Sequence, residues 1–600
     1  MTHPKQGDVG TLPMIPHVIG VTGHRDITQA EEDRIRPFLV SYFETHAVEH
    51  PFTPLRLLSG LAEGADRVVA KVFIDVRDQL AAAGDNVASR WELLAVLPFA
   101  EKAYRDDFPT SEPEFDELLN QASCVVTATE PSAAQIRTND ALRVIGYEAL
   151  GYHMLRHCSM LIALWDGIHL DLKGGTSHVV RMKLDGHENP DSAFALHDCG
   201  PILHIPVRRA RQEQSLNVGQ PEMLYPNSQL QYGQGMTVAR QDFKAIKTGL
   251  DRFNKAVSMQ LSGEDIRTSV TRLAPEGEGH EELSKTWLEA LRPLDNQSLS
   301  TFGAADVLAC KLDLRRRKMT KILYGLGILL AIALWTALDG VAQLWMSAAY
   351  LTFLASIVLV LKRLRRFDLA DDQLDYRFLA ETLRIQSYWR LLDASPENDQ
   401  PSDGPDDDAS GVRYQVLTSL LSQQAIEIGW IREALRICGS DPTPIRLARD
   451  SRARLLHFWV QDQHTYFLKT AQKYEMQKRQ LGTVAIACGL IGLVAASCVI
   501  LIDQGFLDRE WRHMSAISAA VLPAISLLLQ SYSDRMALQA QAKNMTRMSA
   551  VFGRFLYRLN KTRPNAMPRA QEIHALGEEA LTENINWLVL RRSRPASMPV

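Results

Sequence analysis

The chain lacks three things, and each absence narrows what it does. It has no cysteine pair at C-x-x-C spacing. Cys124, Cys158, Cys199, Cys310, Cys438, Cys488 and Cys498 are scattered, so neither a zinc site nor a disulfide framework is expected. That pattern suits a reducing compartment. It has no excess of either charge: the formal net charge is -4, which gives no reason to expect nucleic acid as a partner. No apolar h-region follows Met1-Thr-His-Pro-Lys5, so no secretory leader is expected. Its 600 residues are enough for several domains.

The stretch His17-Val-Ile-Gly-Val-Thr-Gly-His-Arg25 organises the first part of the chain. Its apolar start reads as a buried strand that turns at Gly23. Thr28 is placed to cap a helix from Gln29, with Glu31, Glu32 and Asp33 in its first turn. A strand, a glycine turn and a helix start make an anion site, because free N–H groups and the positive dipole end face outward.

Short apolar runs recur at Val18–Val21, Leu55–Leu58, Leu93–Leu97, Cys124–Thr127, Met160–Trp165 and Ile202–Val207. Helical patterns such as Ala62–Ala83 and Asp140–His157 separate them. This alternation predicts βαβ units and a mostly parallel sheet. In such sheets ligands sit beyond the carboxyl ends of the strands. The candidate nucleotide-binding residues are therefore Thr22, Gly23, His24 and Arg25, then Ser59, Gly60, Glu63, Gly64, Asp66 and Arg67, then Asp166, Gly167, Gly174, Gly175 and Thr176. Glu148 and Tyr152, at i and i+4, either line that pocket or face solvent. Residues 211–310 read as a loop-rich helical extension, with Ser215–Gly235 a loop and Thr237–Met259 a helix.

Four uncharged apolar runs follow: Ile322–Leu338, Val341–Leu361, Leu481–Ile502 and Met514–Leu529. A bilayer-spanning helix needs about 20 such residues. The first run is short and the second ample. Arg315–Lys318 and Lys362–Arg366 flank the first pair, which places both its ends in the cytoplasm. The expectation is four spans in two hairpins, with both termini cytoplasmic, near 322–338 and 341–361, then 481–502 and 514–531. Gly489, Gly492, Ala495 and Ala496 give the third span a close-packing face. No ionisable residue interrupts any run, which argues against a proton-coupled pump. Residues 393–412 read as an acidic, disordered linker. Residues 413–600 are expected to hold cytoplasmic helices and the second hairpin. The segment between pocket and first hairpin is expected to be the one covalent route for a signal.

Gly20-Val-Thr-Gly-His-Arg25, Ser59-Gly-Leu-Ala-Glu-Gly-Ala-Asp66, Leu164-Trp-Asp-Gly167 and Gly174-Gly-Thr176 together resemble the SLOG superfamily over 14–210. That group is Rossmann-like and related to LOG/lysine-decarboxylase-like and DprA-type domains. The resemblance implies binding of a nucleotide-derived signal, such as an ADP-ribose-like molecule, with no resident cofactor or metal. Enzymatic relatives carry Gly-Gly-x-Gly-Thr-x-x-Glu; here the glutamate position is Val179, which cannot act as acid or base. No catalytic residue is assigned. Arg377-Phe-Leu-Ala-Glu-Thr-Leu-Arg384 after a hairpin, with Trp389 beyond it, is similar to the SLATT membrane modules that accompany SLOG domains. That likeness implies a homo-oligomer in the bacterial inner membrane that forms a pore or disturbs the bilayer, in antiphage defence. The alternative is a membrane-anchored nucleotide or NAD hydrolase, or a LOG-like phosphoribohydrolase, with Glu63, Asp66 or Asp166 replacing the missing glutamate. A third reading is a scaffold with a degenerate pocket.

Overall fold

A computed structural model describes residues 12–129, 131–170, 173–186, 199–210, 219–227, 235–273, 284–285, 297–338, 343–366, 369–393, 429–438, 449–561 and 570–592. The acidic linker expected at 393–412 lies outside the described residues, apart from its first position. The chain divides into two compact units. One comprises Met1–Thr268, Leu294–Ala304 and Pro401–Thr443; the other comprises Ser269–Pro293, Ala305–Gln400 and Pro444–Val600.

The first unit is a Rossmann-like layer structure. In chain order it runs β1 (His17–Gly23), α1 (Gln29–Glu49), β2 (Leu55–Ser59), α2 (Ala65–Ala82), β3 (Glu92–Leu97), β4 (Cys124–Thr127), α3 (Asp140–His157), β5 (Met160–Trp165), α4 (Thr176–Asp185), β6 (Ile202–Pro206), β7 (Glu222–Leu224) and α5 (Met236–Gln260). The seven strands lie in the order β4-β3-β2-β1-β5-β6-β7, parallel except for β7. Six strands fall on the six apolar runs: the inner strands are covered on both faces and so apolar throughout, while β4, at an edge, alternates half-buried and exposed residues. The strand β7 is the exception: it has three residues, lies within the stretch read as a loop, and takes its ladder from β6. Thr28 caps α1 as expected, accepting the Glu31 N–H at 3.4 Å. The core between sheet and helices includes Phe43, Phe73 and Trp91, with Phe43 edge-on to Phe73 and Phe73 stacked on Trp91, each at 5.5 Å.

Three segments are pinned at the amino ends of the strands. Asn254 of α5 is fully buried; its Oδ1 accepts the Ile15 N–H at 2.8 Å and its Nδ2 donates to the Ile15 carbonyl at 2.9 Å. Gln297, the first residue of α6 (Gln297–Leu338), donates to the Met14 carbonyl at 2.6 Å and accepts from Arg56 at 3.2 Å. The helix lying furthest along the chain in this unit, 429–438, packs on α5: a Cβ at Gly249 would lie 2.6 Å from Trp430, which also meets Phe253 at 5.7 Å. The sequence reading grouped 429–438 with the membrane half. Its docking on the sheet unit is a tertiary contact that local pattern does not carry.

The second unit is all-helical. Numbering on along the chain, its helices include α7 (Gln343–Arg366), α8 (Leu369–Asp393), α10 (Arg449–Asp503), α11 (Arg512–Arg535), α12 (Leu538–Lys561) and α13 (Ala570–Arg592), while α9 (Gly429–Cys438) is the helix of the first unit that packs on α5. Three stretches, within α6, α10 and α11–α12, are long and apolar enough to cross a membrane. The second run falls on α7, which has 24 residues and whose stretch Trp345–Val360 is a fourth apolar helix among the described residues. A Cβ at Gly492 would lie 2.7 Å from Pro523, and one at Gly489 would lie 3.7 Å from Ser526, so the predicted small-residue face does receive α11. Tyr324 of α6 hydrogen-bonds Ser531 of α11 at 3.1 Å. Outside the spans, α8 meets α13 where a Gly577 Cβ would lie 2.4 Å from the fully buried Trp389 indole. Arg384 pairs with Glu381 at 3.1 Å as its spacing suggests, while Arg377 lies over the Trp587 ring at 4.8 Å.

Replacing Asn254 by Ala leaves the Ile15 N–H and carbonyl without partners in a dry site. At about 1–3 kcal/mol for each orphaned group, chemical denaturation of the sheet unit should shift to clearly lower denaturant. An unchanged midpoint would mean that this contact does not anchor α5.

Candidate functional site

The chain winds from β1 through β2 and β3 to β4 on one side, then places β5 on the other side of β1. The switch point is therefore the crevice beyond the carboxyl ends of β1 and β5, where ligands of such sheets bind. Thr22, which is buried, and Gly23 end β1 there, His24 and Arg25 follow it, and Asp166 and Gly167 follow β5. Gly174, Gly175 and Thr176 form the turn into α4.

His24 and Asp166 bridge the two strand ends. His24 Nε2 is 3.1 Å from Asp166 Oδ1 and 3.2 Å from its backbone N–H. The same Oδ1 accepts the Ile168 N–H at 3.0 Å, so one carboxylate shapes the loop after β5. Gly167 has φ +81° and open space where a Cβ would be. Gly175, the residue before α4, offers no side-chain cap, which leaves first-turn amides for solvent or a ligand. Gly174 donates its N–H to His178 Nδ1 at 3.1 Å. Tyr152 meets the His178 ring edge-on at 6.4 Å and donates to Glu148 at 3.0 Å. Glu148 and Tyr152 thus buttress the glycine turn.

Arg25 is exposed. Its guanidinium lies 5.2 Å over the Tyr147 ring and 5.8 Å from Phe108. Burial of its head works to lower its pKa, but Tyr147, Tyr104 and Asp107 outweigh this and hold it above its ordinary value. It is a fixed cation on the rim.

The β2 residues form a different set, closed by the protein's own side chains. Ser59 is buried and accepts the Leu61 N–H at 3.1 Å. Arg67, only 2% exposed, donates to the Leu61 carbonyl at 3.0 Å and to Glu114 at 2.6 Å, beneath the Phe108 ring. Glu63 is taken by Ser111. Phe99, Tyr104, Phe108 and Phe115 pack over this half. The glycines here serve backbone contact. A Cβ on Gly64 would lie 2.5 Å from the His24 and Arg25 carbonyls, and one on Gly23 would lie 2.3 Å from Ala65. A Cβ on Gly60 would lie 2.9 Å from Asp66 Oδ2.

The structure therefore brings His24, Arg25, Asp166, Gly167 and the 174–176 turn to one crevice. It places Ser59, Gly60, Glu63, Gly64, Asp66 and Arg67 in the wall behind it. Sequence reasoning missed Tyr147, Asp107 and His178. Gly146, whose Cβ would lie 2.6 Å from Phe99, marks the inward face of α3 that would have pointed to Tyr147. No group of three or more side chains able to hold a metal ion occurs among the described residues. The chain matches no protein-family model and no curated protein.

Burial pushes the Asp66 carboxyl up from 3.8 to about 7, against the N–H groups of Ala62 and Gly60 and the cations Arg25 and Arg67. The folded-state pKa exceeds the unfolded one, so stability is lost as pH rises from about 4 through about 7. Asp66→Asn removes that loss. Its melting temperature relative to the native chain should be higher at pH 8 than at pH 5; equal differences at both would place Asp66 in an ordinary, ionised setting.

Proposed function

We propose that the chain is a membrane-bound receptor whose sheet unit binds a nucleotide-derived anion and whose apolar helices answer it by forming a pore or disturbing the bilayer. The observation that carries this reading is the switch-point crevice. It combines an uncapped helix start, an exposed arginine and a His–Asp bridge, in a chain whose described residues include three helices long and apolar enough to cross a membrane. The amides and Arg25 suit phosphate oxygens. The SLOG and SLATT resemblances point the same way, and antiphage defence rests on them alone.

Binding without turnover is the favoured form. Val179 is buried in a core cluster with Leu155, Ala163 and Trp165, so no acid stands where LOG-type enzymes have one. Asp166 is engaged by His24 and Ile168, and Asp66 lies behind Gly60.

Chain tracing supports the two-hairpin topology. Residues near 297 and 429–438 belong to the same sheet unit, so the chain between them crosses a bilayer an even number of times. The helices α10 and α12 pack together on either side of the third and fourth spans: His464 Nδ1 lies 2.9 Å from the Ser549 carbonyl. The same parity follows for that pair. Exposed Ile486, Leu490, Ile491, Leu493 and Val494 suit lipid or a second copy. Several copies around a common axis are the arrangement a pore requires.

Calorimetry of the full-length protein with ADP-ribose, NAD and nucleoside monophosphates tests the receptor. Binding of at least one, weakened roughly tenfold or more by Arg25→Ala through loss of a charge-assisted contact, is expected. No binding of any, or product formation by the native chain, would remove the reading. Reporter fusions after Arg366 and Arg535 should both report cytoplasm; an external signal from either would refute the hairpins.

A further inference from the structure

We infer that α9 is the output element of the sheet unit: docked at the amino edge, it senses the crevice at the opposite edge through β5 and α4. The inference rests on the crevice being a ligand site and adds the route by which its state reaches α9. Two elements run from the crevice to α9. The strand β5 carries Asp166 beyond its last residue, and two residues before its first is Cys158. The helix α4 carries Thr176 at its first position and Lys183 in its last turn. The far ends converge on one atom. The Cys158 carbonyl accepts Arg436 Nη1 of α9 at 2.6 Å and Lys183 Nζ at 2.9 Å. A shift of either element at the crevice moves the oxygen that Arg436 holds.

The chemistry of α9 fits a directional contact better than plain packing. Eight of its ten residues are buried, including Arg436 at 2% and Glu433 at 4% exposure. Arg436 Nη2 is 3.7 Å from Glu433 Oε1. Burial works to raise the Glu433 carboxyl, but Arg436 and Arg432 hold it below the usual carboxylate range. A buried pair of this kind adds little stability over apolar side chains of equal volume. What the guanidinium supplies is an oriented bond to a single carbonyl. Trp430, wedged on Gly249 of α5, fixes the other end of the helix, so α9 is held at two points. In the chain it lies between α8 and α10, and α10 runs without a break into the third span.

Hydrogen–deuterium exchange on the full-length protein in lipid nanodiscs tests this with and without a ligand. Asp166→Ala, with nothing bound, should speed exchange of the 430–438 amides about tenfold, equivalent to about 1.4 kcal/mol, and leave the α5 amides around Asn254 unchanged. If that variant loosens α5 as well, His24→Gln replaces it. Saturating ADP-ribose should change α9 exchange in the native chain. Arg436→Lys should change ADP-ribose affinity, because coupling between the crevice and α9 is reciprocal. Unchanged α9 exchange in the folded site variant overturns the inference. So does calorimetric binding of ADP-ribose that leaves α9 exchange unmoved. If ADP-ribose does not bind but Asp166→Ala still speeds α9, the route stands and the nucleotide reading loses that ligand.

Discussion

Parallel pairing of β1 with β2 on one side and β5 on the other gives the sheet unit two unlike edges. Every strand but β7 presents its carboxyl end to the same edge. There the βα turns expose N–H groups and polar side chains, and there His24, Arg25 and Asp166 meet. At the other edge the strands begin, and there α5, α6 and α9 are fastened through Asn254, Gln297 and Arg436. A strand of seven residues, as β1 is, spans about 23 Å. Recognition and attachment to the rest of the chain are thus separated by the length of a strand, and the strands and helices between are the only material that can join them.

The inner strands are legible because they are buried on both faces, which forces continuous apolar runs in the sequence. Both edge strands are half-exposed; β4 still carries the run Cys124–Thr127, whereas β7 has three residues with a charged one among them and leaves no run to read. The glycines were legible as special positions but not as to why. Gly23 and Gly64 look like phosphate cradles in sequence; in the fold they let the start of α2 touch the His24 carbonyl, with Ala65 N–H donating to it at 3.0 Å. A glycine reports close approach, and sequence does not say whether the approaching group is a ligand or the chain itself. Arg67 is a parallel case. Its charge suggests a ligand, yet its partners Leu61 and Glu114 make it a buried strut.

The helical half shows what hydropathy marks and what it omits. The helix α6 starts at Gln297, well before the apolar run begins at Ile322, and α10 has 55 residues, of which the apolar run is the last part. Membrane thickness sets the length of a run, not of a helix. The surplus turns of α10 leave the span as a continuation of the same hydrogen-bonded rod and pack against α12 and Tyr388, whose ring stacks on Trp459 at 4.7 Å.

Magnitudes decide the form that coupling between α9 and the crevice takes. Undocking α9 carries the Glu433–Arg436 pair away together, so what it breaks is the charge-assisted bond from Arg436 to the Cys158 carbonyl, about 1.5–3 kcal/mol, and the packing of Trp430 on Gly249, about 3–5 kcal/mol by truncation measures. To undock α9 outright, a ligand would need a preference for the undocked state of roughly 10³-fold or more, since each 1.4 kcal/mol is a factor of ten. Coupling free energies between sites are typically about 1–3 kcal/mol. That range is too small to expel α9 and ample to shift it while docked, with Arg436 following the Cys158 carbonyl. The arithmetic therefore favours a helix that moves with the sheet over a latch that lets go, and it makes the two buried anchors of α9 the reason the movement is transmitted.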